Sequence, residues 1–159
     1  MPDQKQKPLT HKELLAIIKR AAREHRTLLV LRGRGISELP NEIGDLVSLQ
    51  ALDLSHNQLT TLPKSISKLV SLHTLDLSNN QLTSLPPSSL SRLLERQWHQ
   101  VNTFERLTLK GNPLNPMLKS AYDQGLDALY AYLRSLEGAE PLYEAKLVLV
   151  GEGGVGKTT

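Results

Sequence analysis

The densest chemistry in this chain lies in its last nine residues, GEGGVGKTT. Gly151, Gly156, Lys157 and Thr158 fit the pattern GxxxxGK[ST] of a phosphate-binding loop. Glycines at this spacing let backbone N–H groups wrap phosphate oxygens, and Gly153 and Gly154 sit with Glu152 and Val155 inside the loop. Lys157 is placed to reach the β and γ phosphates of a nucleotide, and Thr158 to ligate Mg²⁺. A strict match arises by chance in roughly 0.5% of chains of this length, so the pattern is specific. The run AKLVLV before it, at 145–150, reads as a buried parallel strand, which is the setting such a loop requires.

A working nucleotide site needs more. A Walker B acid, a water-positioning residue, a base-reading element and the helix behind the loop would all fall after Thr159. The expectation is a chain cut inside its second domain, with no catalytic residue and little nucleotide affinity of its own.

Other polar residues carry less. Asp53 and Asp76 recur one period apart and could be paired carboxylates, yet both belong to a repeated LDLS and have no flanking histidine in ligand geometry. The histidines, at 11, 25, 56, 73 and 99, show no metal spacing, and no intrinsic metal site is expected. There is no cysteine, hence no disulfide or thiolate metal site. A net charge of +3 with 4% aromatic residues is too mild to argue for nucleic acid. The start lacks an apolar signal core, and the apolar runs LLVL and LVLV are too short to cross a bilayer. These features together give a cytoplasmic expectation.

The elements that would position this chemistry come from a period of 23. LQALDLSHNQLTTLPKSISKLVS (49–71) aligns with LHTLDLSNNQLTSLPPSSLSRLL (72–94), so that Leu49, Leu52, Leu54, Asn57, Leu59 and Leu62 return as Leu72, Leu75, Leu77, Asn80, Leu82 and Leu85. The same frame lands backwards on Leu29, Leu31, Ile36, Leu39, Ile43 and Leu46, and forwards, after nine extra residues, on Phe104, Leu107, Leu109, Asn112 and Leu114. This is the leucine-rich repeat pattern LxxLxLxxNxL in four copies, about 26–48, 49–71, 72–103 and 104–115. It predicts an α/β solenoid with a short parallel sheet. Single repeats cannot bury their own apolar face, so stacking is obligatory. Asn57, Asn80 and Asn112 are expected to satisfy backbone groups at the turns. In the first repeat Arg34 stands between Gly33 and Gly35, and an irregular turn is expected. The insertion in the third repeat places Leu90, Leu94 and Trp98 at helical spacing, predicting a longer return helix.

Residues 1–25 read as a tail and cap helix, with Thr10 and Glu13 as a capping box before the stripe Leu14, Ile17, Ile18, Ala21 and Ala22. Residues 116–138 read as a second helical cap, opened by Asn115 and Pro116, carrying Leu118, Tyr122, Leu126, Leu129, Leu133 and Leu136, and interrupted at Gly125. A linker at 139–144 precedes the start of the nucleotide domain at 145–159. Alternation along the strands puts three columns on the concave face: Leu28, Ala51, Thr74, Arg106; then Val30, Asp53, Asp76, Thr108; then Arg32, Ser55, Ser78, Lys110. From these, Arg32, Asp53, Ser55, Asp76, Ser78, Arg106 and Lys110 are the candidate binding residues.

With repeats, the NPLNP cap start, the YLRSL helix and YEAKLVLVGEGGVGKTT in one order, the chain resembles the N-terminal part of bacterial Roco proteins. In that family the repeats precede a Ras-like GTPase domain, Roc, and a dimerisation domain, COR, with a kinase beyond in some members. The resemblance implies GTP and Mg²⁺ as ligands of an intact parent, held through Gly151, Gly156, Lys157 and Thr158. It also implies a GTPase parent, a homodimer through COR, and repeats that act on a protein partner or on the parent's own downstream domains. STAND-type ATPases share GGVGKTT but usually place their repeats after the nucleotide domain, and ParA-like loops want lysine at the position of Glu152. A small binding module with no enzymatic parent is the alternative from a different class.

Overall fold

The computed structural model describes residues 6–96 and 104–137. Four three-residue strands, β1 (Leu28–Val30), β2 (Ala51–Asp53), β3 (Thr74–Asp76) and β4 (Arg106–Thr108), form one parallel sheet in chain order. Leu28 pairs with Ala51, Ala51 with Thr74, and Thr74 with Arg106, so sequence period and sheet register coincide. The central residue of each strand, Leu29, Leu52, Leu75 or Leu107, points inward and is buried, while its neighbours face out. Each buried leucine contributes about 1.5–3 kcal/mol, which is why a chain with a single Phe and a single Trp still assembles a core.

Opposite the sheet, the chain returns through single 3₁₀ turns at Asn41–Asp45 and Lys64–Lys68. Pro40 and Pro63 open these turns in extended conformation, and Ile43 and Ile66 fill the centre at 0% exposure. Gly44 is small of necessity: a Cβ there would meet the Ser65 carbonyl oxygen at 2.8 Å. In the third repeat the insertion lengthens the return to a helix, α2 (Pro87–Glu95), and buries Leu90 and Leu94 as their spacing predicts, together with Leu93. The return layers are stitched where the Ser89 hydroxyl donates to the Lys64 carbonyl at 3.0 Å. Trp98 lies outside the described residues.

The asparagines join successive turns. Asn57 Oδ1 accepts from the N–H of Arg34 (2.9 Å) and Ile36 (3.0 Å), while its Nδ2 donates to the carbonyls of Leu31 and Leu54 at 2.9 Å each. Asn80 accepts from Leu59 N–H and donates to Leu54 and Leu77; Asn112 accepts from Leu82 N–H and donates to Leu77 and Leu109. These amides are structural ties, as buried polar groups must be paired. The first turn has no asparagine and is irregular as expected: besides a left-handed Gly33 (φ 66) it carries a second left-handed glycine, Gly35 (φ 64).

Both caps are present. The first helix, α1 (His11–Arg23), starts at Thr10, whose hydroxyl accepts from Glu13 N–H while the Glu13 carboxylate accepts from Thr10 N–H. Leu14, Ile18 and Ala21 are buried against the first repeat. At the other end, α3 (Pro116–Asp123) has Asn115 as its N-cap, accepting from Leu118 N–H at 2.9 Å. Gly125 (φ 115) breaks the segment, and α4 follows over 126–137. Leu118, Ala121, Leu129 and Leu133 close the core. Tyr122 does more than its place in an apolar stripe predicts: its hydroxyl accepts from Leu109 N–H at 3.1 Å, beside the last strand, where no further repeat among the described residues supplies a partner.

Candidate functional site

The sheet's open face is assembled by the register itself. One row across it reads Leu28, Ala51, Thr74, Arg106; the next reads Val30, Asp53, Asp76, Thr108. Large residues at the ends of the first row and small ones in its middle leave a hollow of about 210 Å³ over Ala51 and Thr74, with Asp53 and Asp76 along one side. Leu28 and Val30, neighbours on the edge strand, are each 55% exposed, so the face carries an apolar shelf at that end. Arg106 and Lys110 are exposed at the opposite end, and Arg32 at the apolar one.

The carboxylates are held, not loose. Asp53 Oδ1 accepts from Ser55 N–H (2.9 Å) and Ser55 Oγ (2.6 Å), and Asp76 Oδ1 accepts from Ser78 N–H (2.9 Å) and Ser78 Oγ (2.7 Å). Each pair of bonds leaves Oδ2 without a protein partner among the described residues. This corrects the candidate list: Ser55 is 1% exposed and takes no part in the open face. Strand β2 ends at Asp53, so alternation stops there and the chain turns Ser55 back onto the carboxylate. Ser78 is half-buried and does the same for Asp76. Among the described residues no group of three or more His, Asp or Glu side chains could hold a metal ion.

The turn above this face has a feature that was not among the candidates. Gly33, His56, Asn79 and Gly111, each one residue before the asparagine position, all take left-handed backbone, with φ of 66, 57, 55 and 79. Glycine, histidine and asparagine are the types that tolerate it, so the signal was in the sequence. His56 Nε2 lies 3.3 Å from Asn79 Nδ2, continuing the column side chain to side chain. Further back, the Arg96 guanidinium donates to the carbonyls of Leu69 and Leu72 at 2.8 Å each, and burial lowers its pKa.

The phosphate-loop candidates Gly151, Gly153, Gly154, Gly156, Lys157 and Thr158 lie outside the described residues, as do the strand at 145–150 and the linker. Within the described residues no helix is long and apolar enough to cross a membrane.

Short parallel strands, returning turns and asparagine ties define a leucine-rich-repeat fold, and residues 24–95 match the family described as leucine-rich repeat region. A solved leucine-rich-repeat protein of Leptospira interrogans is 40% identical, with a TM-score of 0.52, over 62% of this chain and 23% of its own. Among curated proteins, a Roc-COR-CHAT protease of Runella zeae is 39% identical over 67 residues, which is 38% of this chain and 7% of the relative. The chain therefore spans less than a quarter of the length of either protein.

Proposed function

We propose that this chain is the leucine-rich-repeat interaction arm of a Roco-type GTP-binding protein, joined to the first element of its nucleotide site. The observation that carries the reading is the order of parts: repeats, helical cap, apolar strand-like run and GEGGVGKTT. The likeness to a protein whose name joins Roc and COR adds to it. In this reading the backbone of Gly151, Gly153, Gly154 and Gly156 cradles the phosphates of GTP, Lys157 neutralises the β and γ oxygens, and Thr158 ligates Mg²⁺. The concave face engages a protein partner or a downstream domain of the same parent, and nucleotide state shifts which contact is made.

The test is the reading frame past the codon for Thr159. A frame encoding a DxxG element, an NKxD-like guanine reader and a COR-like region is expected. A frame encoding an ATPase signature, or an immediate stop, overturns the Roco assignment and leaves a repeat module alone.

A further inference from the structure

The open sheet face is unpartnered among the described residues, and its chemistry changes in order across it. At the β1 edge stand Leu28 and Val30, each 55% exposed; in the middle, Asp53 and Asp76 sit in register on adjacent strands; at the β4 edge is Arg106, with Lys110 beyond. Neighbouring strands are about 4.8 Å apart, so the two carboxylates are spaced to be bridged by one cation. Each presents a single oxygen without a partner among the described residues, because the other is committed to Ser55 or Ser78. A planar guanidinium offers donors in a fork to two such acceptors, where an ammonium offers only a point charge. The hollow over Ala51 and Thr74, about 210 Å³, gives that group a seat beside both carboxylates.

Spacing fixes the rest of the ligand. Measured across the strands from Leu28, the midpoint between Asp53 and Asp76 lies at about 7 Å and Arg106 at about 14 Å. In an extended peptide, side chains on one face recur about every 6.6 Å. We propose that this face takes an extended polypeptide crossing the strands, with the pattern apolar–x–Arg–x–Asp/Glu: the apolar side chain on Leu28 and Val30, the arginine between Asp53 and Asp76, and the carboxylate on Arg106. The proposal rests on the reading of the repeats as a protein-interaction surface and adds what the partner must present. A polyanion such as nucleic acid does not fit, since its phosphates would meet the two carboxylates at the centre.

The probe is a phage-displayed library of random linear 12-residue peptides selected on the intact chain. Enriched peptides should share the pattern, and their synthetic, fluorescently labelled forms should bind the D53N/D76N variant at least about tenfold more weakly by fluorescence anisotropy. Asparagine keeps an oxygen for Ser55 and Ser78, and an unchanged circular dichroism spectrum verifies the fold. Replacing the peptide's arginine by glutamate should abolish binding to the parent chain. Failure to enrich any peptide overturns the proposal, as does enrichment of peptides lacking arginine, or equal binding to D53N/D76N. Peptides with lysine in place of arginine, at equal affinity, overturn the guanidinium assignment. Should peptides of other chemistry be enriched and lose binding on Arg106→Glu or Leu28→Ser, the face remains a protein-interaction surface while the proposed pattern is wrong.

Discussion

Replacing Asn57 by alanine removes one of the ties between successive turns. The side chain is 6% exposed and makes five hydrogen bonds, accepting from Arg34 and Ile36 N–H and donating to the carbonyls of Leu31, Leu54 and Ser55. Its removal strands two N–H groups. Ile36 is buried at 3% exposure and its donor finds no replacement, whereas Arg34 is half-buried and recovers part of its loss from water. At about 1–3 kcal/mol for each buried unsatisfied group, the cost is about 2–4 kcal/mol. With a urea slope near 2 kcal/mol/M the unfolding midpoint should fall by about 1–2 M. Gln58→Ala, at an exposed neighbour, is the control and should stay within about 0.5 kcal/mol. Amide exchange at Ile36 should rise in N57A before that of Leu82, which is tied by Asn112 instead. A midpoint for N57A no lower than that of Q58A would refute the view that the asparagine ties hold the turns together.

Four further outcomes follow from particular residues. Gly33→Ala should lose about 1–2 kcal/mol for a left-handed backbone alone, since no atom lies within 4 Å of its added Cβ. Gly111→Ala should lose more, because its Cβ would meet Asn79 Oδ1 at 2.3 Å, and adding Asn79→Gly should bring the loss back toward that of G33A in thermal melts. Phe104→Ala, at a side chain 1% exposed, should cost about 3–5 kcal/mol by denaturant unfolding. The Glu13 carboxyl has a lowered pKa, first through the hydrogen bond from Thr10 N–H and then through the Thr10 hydroxyl. Its folded-state pKa is depressed, so the stabilisation is present above the ordinary carboxylate pKa and lost as pH falls through the lower folded value. An NMR titration should place the Glu13 midpoint below that of an exposed glutamate, with α1 fraying in the same acid range; a midpoint at or above it contradicts the capping box.

The parts of the fold legible from sequence are those whose spacing is itself the structure. Leucines at fixed intervals became the inward row of the sheet, Thr10 with Glu13 became a capping box, and Gly125 broke the second cap. Ser55 departs from the alternation because it lies past a strand only three residues long, where a turn and not a pleat decides direction. The left-handed column at Gly33, His56, Asn79 and Gly111 is carried by residue types that tolerate it and not by apolar periodicity, which does not record backbone handedness. For Tyr122 and Arg96 no local signal exists: their partners, near Leu109 and at Leu69 and Leu72, are set by tertiary packing. Of the candidate face, Asp53, Asp76 and Arg106 are identifiable as outward positions, but which oxygen of each carboxylate is committed is decided by the turn that brings Ser55 or Ser78 back onto it.

The proposed joining of an interaction arm to a GTP site can be tested by titrating fluorescent mant-GTP and mant-ATP into protein expressed from the gene's whole reading frame. Mg²⁺-dependent binding of mant-GTP is expected, competed away by GTP and not by ATP, and abolished by Lys157→Ala. Preference for ATP, or GTP binding unchanged by Lys157→Ala, would contradict it.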